Sequence, residues 1–295
     1  MKTTAPDRLR RLLAEDPFLT MPCCFDALSA KLIEQEGFPL TFMSGFAASA
    51  SRIGAPDLGL MSYGEVVDHA RNITDAISIP LIGDGDTGYG NAMNVKRTVK
   101  GFARAGCAAV MIEDQRAPKR CGHTPGKEVV DREEAFDRIR AAVDARTERD
   151  GADDILILAR TDSLRSHGLS EAIARAAHFK ELGADILFVE APTTLEEMRT
   201  ICDELPGPKM ANILEGGETP VLTQRQLREI GFSIAAYPLT LMAAALQAMT
   251  STLSALRDDS DPSSGLMGFA ELRRRIGFDE YYDASASYDT SRRNK

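Results

Sequence analysis

The fold assignment depends most on residues 80–114, PLIGDGDTGYGNAMNVKRTVKGFARAGCAAVMIED. An apolar run at Pro80–Gly83 precedes an amphipathic stretch at Val95–Ala105, and a second apolar run follows at Ala108–Ile112. Gly106 stands between the last two, where a glycine commonly ends a helix. This order of strand, helix and strand predicts one βα unit of a parallel sheet and the strand that follows it.

The same succession recurs along the chain. Glycine junctions of this kind also occur at EQEGFP (34–39), KELGAD (180–185) and REIGFS (228–233). Strand and helix alternate about eight times, which favours a (β/α)8 TIM-type barrel of the α/β class over an open sheet. The predicted strands are Leu19–Pro22, Leu40–Ser44, Pro80–Gly83, Ala108–Ile112, Ile155–Ala159, Ile186–Val189, Lys209–Asn212 and Ser233–Ala236.

A polar run marks the end of the predicted barrel. The sequence DDSDPSS at 258–264 is typical of a boundary segment. We therefore predict a catalytic barrel domain at residues 1–257 and a C-terminal helical extension at residues 258–295. Within the extension, Gly268–Arg275 is expected to be helical and Ala284–Lys295 to fray.

Composition and charge exclude several classes of function. The formal net charge of −9 argues against nucleic acid or an anionic membrane surface as a partner. No apolar run approaches the ~20 residues of a membrane span. Residues 1–15 carry an amphipathic leucine pattern and lack the apolar core of a signal peptide. The five cysteines are odd in number and lack metal-finger spacing, which predicts reduced thiols in a cytoplasmic protein.

Charged and amide side chains follow five successive predicted strands. In (β/α)8 enzymes the catalytic residues lie at the carboxyl ends of the strands. A helix cap or a surface turn would explain any single one, Asp114 and Asp162 in particular, but fits the whole set less well. We therefore expect a functional site at the carboxyl ends of these strands. The set comprises Asp84, Asp86, Glu113, Asp114, Arg160, Asp162, Glu190 and Asn212.

The pair Asp84 and Asp86 suggests a metal ion. Residues two apart in a strand point to the same side, where two carboxylates repel each other unless a cation lies between them. A site with only a few hard oxygen ligands from the protein suits Mg²⁺, because this ion keeps several water ligands and also binds substrate oxygens. A turn with two solvated acidic side chains is the alternative.

The long segment Asp114–Asp131 is typical of an active-site lid, with simple disorder as the alternative. It contains Lys119, Arg120, Cys121 and His123. Basic neighbours would shift the Cys121 thiol towards thiolate, which suits a nucleophile or a proton shuttle. An exposed basic loop with an incidental cysteine is equally compatible.

The other cysteines and histidines give weaker signals. Cys107 and Cys202 stand in apolar or helical contexts and are predicted to be structural. Cys23 or Cys24, after the first strand, could line the site. The remaining histidines are predicted to lie on the surface; they are His69, His167 and His178.

Six motifs together resemble the isocitrate lyase / phosphoenolpyruvate mutase superfamily. The most specific is KRCGH within IEDQRAPKRCGH (112–123). The likeness extends from about residue 5 to about residue 255. The other motifs are SGFAASASRIGAPDLGL (44–60), GDGDTGYGNAMNVKRTVK (83–100), ARTDS (159–163), VEAP (189–192) and ANILEGGETP (211–220).

The resemblance implies an assembly and a cofactor. The C-terminal barrel helix would be exchanged between neighbouring subunits of a homotetramer, a dimer of dimers. The cofactor would be Mg²⁺, with Mn²⁺ as a substitute. Asp84 and Asp86 would hold the ion, with Asp57 and Glu113 in its outer shell.

The resemblance also implies how a small carboxylate substrate is bound. The turn Ser44-Gly45-Phe46 would offer backbone N–H groups to its carboxylate, and Arg160 would contact the same end. Further contacts would come from Gly122, His123, Glu190 and Asn212.

For the chemistry, the resemblance implies cleavage of a carbon–carbon bond by a retro-aldol or retro-Claisen step. Cys121 would then protonate the leaving carbanion. The general base stays open between Lys119, Glu113 and a metal-bound hydroxide.

Details of the sequence favour an alkylated malate as the substrate. Residues 212–217 read NILEGG, as in the branch with 2,3-dimethylmalate lyase, petal death protein and carboxyphosphonoenolpyruvate phosphonomutase. Residues 240–245, TLMAAA, supply no cation for a third carboxylate, although Arg116 or Arg120 could do so. The apolar residues expected near the substrate are Phe46, Ile213, Leu214 and Leu241.

Several alternatives stay open. They include carbon–phosphorus bond chemistry, 2-methylisocitrate cleavage, and hydrolysis or decarboxylation of oxaloacetate. A catalytically silent binding barrel and a Schiff-base aldolase that uses Lys119 are less favoured.

Overall fold

The computed structural model describes residues 3–120, 126, 128–148 and 154–288. Within them, eight strands form one sheet in which every hydrogen-bonded neighbour is parallel. The strands are β1 (Leu19–Cys24), β2 (Thr41–Met43), β3 (Leu81–Asp84), β4 (Ala109–Glu113), β5 (Leu156–Thr161), β6 (Ile186–Val189), β7 (Met210–Asn212) and β8 (Ile234–Tyr237).

The sheet closes on itself. The strand order is β6-β5-β4-β3-β2-β1-β8-β7. A parallel bridge joins Leu187 of β6 to Lys209, directly before β7, and the Leu187 amide donates to the Pro208 carbonyl oxygen at 3.0 Å. The two edge strands therefore meet, and the sheet is a nearly closed barrel. This confirms the predicted TIM-type fold.

Helices connect successive strands on the outside of the sheet. The amphipathic stretch predicted at Val95–Ala105 corresponds to the helix Ala92–Arg104. The helices are α1 (Ala5–Glu15), α2 (Ala27–Gln35), α3 (Gly45–Ile53), α4 (Tyr63–Ala76), α5 (Ala92–Arg104), α6 (Arg132–Thr147), α7 (Leu164–His167), α8 (Leu169–Glu181), α9 (Leu195–Glu204), α10 (Gln224–Ile230), α11 (Thr240–Arg257), α12 (Phe269–Ile276) and α13 (Phe278–Ala286).

Side-chain caps fix where several helices begin. At α4, the Glu65 amide donates to the Ser62 hydroxyl at 3.4 Å, and the Ser62 amide donates to the Glu65 carboxylate at 2.8 Å. Thr194 and Glu197 form the same reciprocal pair at α9. Such caps satisfy amides that the first helical turn leaves without partners.

Two apolar layers hold the barrel together. Met21 and Met111 belong to the cluster inside the barrel, whereas Val110 and Ile157 belong to the layer between the sheet and the helices. The inner cluster includes the first residues of several strands and the fully buried Leu9 of α1. Helix α1 therefore covers the amino-terminal end of the barrel, and the carboxyl ends of the strands are left for a site.

The chain forms two compact units, Met1–Met242 and Ala243–Lys295. In the second unit, α11 carries an exposed apolar stripe with helical spacing, formed by Leu246, Met249, Leu253 and Leu256. The domain boundary at residue 257 stays a prediction. Among the described residues, no helix is both long and apolar enough to cross a membrane.

The position of His69 contradicts the prediction that this residue lies on the surface. Its side chain in α4 is buried, and Nε2 lies 2.8 Å from the Phe25 carbonyl oxygen. Burial lowers the pKa of this imidazole. The prediction of a surface residue is wrong for His69 because α4 turns this face towards the barrel, whereas His167 is exposed and His178 half-buried.

Candidate active site

A small cavity opens at the carboxyl ends of the strands. Its volume is about 70 Å³. An adjoining cavity of about 10 Å³ is lined by Asp57, Asp84 and Asp86. The structure thus brings together the predicted site residues that it describes, while their chemical roles stay predictions. The predicted residues that line the larger cavity are Ser44, Gly45, Phe46, Asp57, Asp84, Glu113, Lys119, Arg160, Glu190 and Asn212.

The predicted Cys121, Gly122 and His123 lie outside the described residues. The chain just before them is fixed by Gln115, whose side chain is buried. Its amide oxygen accepts from the Arg120 amide at 2.8 Å, and its amide nitrogen donates to the Arg120 carbonyl oxygen at 2.9 Å. The loop after β4 therefore delivers Arg120 to the cavity, and sequence patterns gave no sign of this role for Gln115.

Three carboxylates converge on the ammonium group of Lys119. Its Nζ lies 2.8 Å from Asp57 Oδ2 and 4.0 Å from Asp84 Oδ2, and it also pairs with Asp86. The Gly45 amide donates to Asp84 Oδ2 at 3.1 Å. A Cβ at position 45 would lie 2.4 Å from that oxygen, so only glycine fits there.

Burial and charge compete within this cluster. Burial raises the pKa of Asp86 to about 6, although the Lys119 charge opposes the rise. Burial alone would lower the pKa of Lys119, but the carboxylates around it raise that pKa well above its usual value. The cluster is therefore a site that attracts a cation.

The structure corrects the reason for which Asp84 and Asp86 were expected to lie on the same side. Strand β3 ends at Asp84, and Asp86 has a left-handed backbone with φ of 49°. The two carboxylates share one side because the chain turns after β3, not because they alternate along a strand. The Asp86 amide donates to Asp84 Oδ1 at 3.0 Å and fixes the turn.

The donor set fits a divalent ion of the magnesium type. Among the described residues, no group of three or more Asp, Glu, His or Cys has the geometry of a metal site made by protein alone. Mg²⁺ does not need one, because it binds one or two carboxylates and completes its shell with water and substrate oxygens. The convergence of Asp57, Asp84 and Asp86 on one ammonium group shows that a cation is accommodated there.

Arg160 is held rigidly at the end of β5. Its Nε and Nη2 donate to the two oxygens of Asp162 at 2.8 and 2.9 Å. Glu113 Oε2 lies 3.4 Å from Nη1, and Glu190 Oε1 lies 3.6 Å from Nη2. Bidentate pairing fixes the plane of a guanidinium group, so Arg160 presents a fixed edge to the cavity.

A second layer supports this arginine. The Asp162 amide donates to Asp114 Oδ1 at 2.8 Å, and Asp114 Oδ2 pairs with Arg175 at 3.1 Å. Asp114 and Asp162 are buried and do not line the cavity. The alternative that these two residues lie in a surface turn is therefore wrong. Both are buried, Asp162 binds Arg160 directly, and Asp114 accepts a hydrogen bond from the Asp162 amide.

Glu113 is buried at the end of β4. Burial raises its pKa well above the ordinary range, against the opposing effect of Arg160. Its Oε1 has no hydrogen-bond partner among the described residues. A buried carboxylate oxygen of this kind is suited to contact a substrate hydroxyl or a water molecule.

The rest of the cavity wall is apolar. It includes Phe46, Leu214, Pro238 and Leu239. Two predicted wall residues lie elsewhere, because Ile213 is buried in a cluster with α9 and α10 and Leu241 lines a different groove. Of the two candidate lid cations, Arg120 lines the cavity and Arg116 does not.

The chain is similar to known proteins along most of its length. Residues 9–257 match the family model described as phosphoenolpyruvate phosphomutase. The 2,3-dimethylmalate lyase of Eubacterium barkeri is 40% identical over 99% of this chain and 100% of its own length. The chloroplastic carboxyvinyl-carboxyphosphonate phosphorylmutase of Arabidopsis thaliana is 39% identical over 97% of this chain and 85% of its own. A 2-methylisocitrate lyase of Halalkalibacterium halodurans is 37% identical over 93% of this chain and 90% of its own.

Solved structures show the same fold. An oxaloacetate acetylhydrolase with the inhibitor 3,3-difluorooxalacetate has a TM-score of 0.91 and 34% identity, and covers 97% of each chain. A phosphonopyruvate hydrolase with oxalate and Mg²⁺ has a TM-score of 0.84 and 30% identity, over 97% of this chain and 99% of its own. The named lyases among the relatives support the predicted enzyme class, a carbon–carbon lyase. The chain therefore belongs to the phosphoenolpyruvate phosphomutase family, within the superfamily that its motifs predict.

Proposed function

We propose that this chain is a Mg²⁺-dependent lyase that cleaves a carbon–carbon bond of an alkylated malate or a similar small 2-hydroxy dicarboxylate. One observation carries the proposal. The ends of β3 to β6 supply Asp84, Glu113, Arg160 and Glu190, whereas the apolar wall follows β2, β7 and β8. Since the barrel order places these two groups of strands on opposite arcs, the charged side chains lie mainly on one side of the cavity, and the other side is mainly apolar apart from Ser44 and Asn212.

The acidic cluster supplies the place for the metal. Asp84 and Asp86 would hold the ion, with Asp57 beside them. A bound divalent ion supplies Lewis-acid stabilisation of negative charge that develops on substrate oxygens. The 2-hydroxy-acid end of the substrate would lie here, and its carboxylate would contact Arg160 and the first amides of α3, of which Phe46 supplies one.

Proton transfers complete the reaction. A base takes the proton of the 2-hydroxyl group, the carbon–carbon bond breaks, and its electron pair leaves with the departing carbanion. Cys121 gives that carbanion a proton from the lid. Lys119 and Glu113 both line the cavity and are candidates for the base. Lys119 can accept a proton only as the free amine, and the carboxylates around it, which raise its pKa, disfavour that form.

The apolar wall sets the substrate preference. A malate with alkyl substituents is expected to be cleaved with kcat/KM at least about tenfold above that of 2-methylisocitrate, because a third carboxylate would meet the apolar wall, with Arg120 of the lid as its one candidate cation. The measurement is a panel of 2-alkylmalates, isocitrate, 2-methylisocitrate, oxaloacetate and phosphonopyruvate with product identification.

Leu214 offers a matched test of that preference. Leu214→Ala should reduce the advantage of alkylmalates by about tenfold, since buried methyl groups each contribute on the order of 1 kcal/mol. Ile213→Val, at the neighbouring position outside the cavity, should leave it intact. Equal or better cleavage of 2-methylisocitrate by the unmodified enzyme would contradict the proposed substrate. Faster turnover of phosphonopyruvate would indicate carbon–phosphorus chemistry instead.

We also propose that the chain assembles by helix exchange into a homotetramer in the cytoplasm. An apolar groove of about 330 Å³ lies on the barrel between α2 and α10, lined by Leu32, Phe38 and Leu241 among others. In a complete barrel the eighth helix packs at this place. The exposed stripe of α11 from a second copy would fill it.

The exchange predicts a loss of assembly when the stripe is charged. Leu253→Glu in α11 should shift the protein to smaller species on size-exclusion chromatography with light scattering, because a carboxylate cannot be buried in the apolar groove. Gln247→Glu, on the same helix but outside the stripe, is the matched control. Deletion of residues 265–295 should also reduce the size if the tail joins the interface. An unchanged mass for Leu253→Glu would rule out the exchange.

A further inference from the structure

The loop after β3 holds a tyrosine in a backbone conformation that favours glycine. Tyr89 has φ of 61° and stands between Gly88 and Gly90, which also have positive φ. Left-handed backbone is uncommon for a bulky residue. The loop is fixed there, because the Thr98 hydroxyl donates to the Gly88 carbonyl oxygen at 3.1 Å. The phenol therefore stands at a position where a glycine would be less strained.

The ring directs its hydroxyl group into the acidic cluster. It packs edge-on against Tyr63, with ring centroids 5.9 Å apart. The hydroxyl oxygen is buried, makes no hydrogen bond of good geometry among the described residues, and lies close to the Asp86 carboxylate. Tyr89 lines the cavity of about 10 Å³ together with Asp57, Asp84 and Asp86. That cavity is about large enough for one water molecule.

We propose that Tyr89 is a positioning residue of the metal centre. Its hydroxyl donates a hydrogen bond to a water molecule in the small cavity, and that water is shared with the carboxylates of Asp57 and Asp86. The inference rests on the proposed metal function of this cluster. Hydrogen bonds behind the direct ligands fix ligand orientation, and their loss typically weakens metal binding about 10- to 100-fold.

Direct titration with Mn²⁺ tests the proposal without any substrate. Tyr89→Phe should weaken Mn²⁺ binding by about tenfold or more, measured as free Mn²⁺ by electron paramagnetic resonance. The ring and its contact with Tyr63 are kept, so the metal-free melting temperature should not change. Tyr63→Phe is the matched control, because its hydroxyl donates to the Arg97 carbonyl oxygen at 3.3 Å, away from the cluster. That variant should bind Mn²⁺ as the unmodified protein does.

The outcomes distinguish the proposed metal site from the proposed role of Tyr89. If Asp84→Asn abolishes Mn²⁺ binding and Tyr89→Phe leaves it within twofold of the unmodified protein, the role of Tyr89 is overturned and the metal site stands. If the unmodified protein binds no Mn²⁺, both proposals are overturned. Equal weakening by Tyr63→Phe would show a packing effect of the ring pair and would also overturn the role of Tyr89.

Discussion

Replacement of Cys121 by alanine is expected to lower kcat/KM by about 10²- to 10⁴-fold, the usual contribution of a single acid–base group. The protein should stay folded, because Val130 is the only described residue of the lid that belongs to an apolar layer of the barrel. The Gln115 side chain holds Arg120 through two hydrogen bonds that do not involve position 121, so the chain before that position should keep its placement. Steady-state kinetics with the best substrate of the panel measure the effect.

Thiol alkylation gives an independent measurement. The four described cysteines are free and buried, and burial raises the pKa of each thiol, to about 12 for Cys24 and Cys202. Their thiolate fraction at neutral pH is therefore very small, and fast alkylation would report Cys121 alone. A substrate analogue should protect the enzyme. Cys202→Ala is the matched control and should behave as the unmodified enzyme; turnover by Cys121→Ala within about threefold would contradict the proton-donor role.

The barrel could be predicted from sequence because its determinants are local. Each parallel strand is buried on both faces and reads as a short apolar run. The predicted β6 agrees exactly in its bounds with Ile186–Val189, and the predicted β1 lacks only its last two residues. Helix α3 was harder to predict, because Gly45–Ile53 is rich in alanine and serine and its buried residues are the small Ala47, Ala48 and Ser49.

The sequence predicted which residues belong to the candidate site, but it did not predict the contacts between them. Motifs named Asp84, Lys119 and Arg160, but contacts made through the fold decide what each of them does. Lys119 lies 62 positions from Asp57, its hydrogen-bonded partner. The support of Arg160 by Asp162 and Asp114 depends on the pairing of β4 with β5. No pattern of spacing encodes such contacts, and the side that Ile213 faces is likewise set by the packing of α9 and α10.

Removal of the metal should abolish turnover altogether. Excess EDTA is expected to stop the reaction, and Mg²⁺ or Mn²⁺ should restore it, because the developing charge would otherwise lack its main stabilisation. Asp84→Asn should lower kcat/KM by about a hundredfold or more, since a Lewis-acid contact contributes several kcal/mol and about 1.4 kcal/mol corresponds to tenfold. It should also weaken Mn²⁺ binding in the absence of substrate.

The contacts of Asp84 explain why Asp84→Asn should have such a large effect. Its two oxygens accept from the amides of Gly45 and Asp86, so both the loop after β2 and the loop after β3 are oriented by this carboxylate. Asparagine keeps the shape but removes the charge and turns an N–H group towards one of those donors. Asp68→Asn is the control, because Asp68 pairs with Arg52 on the outside of the barrel and should not affect metal binding. Full activity in excess EDTA would remove the metal from the mechanism. Unchanged Mn²⁺ affinity in Asp84→Asn would place the ion elsewhere.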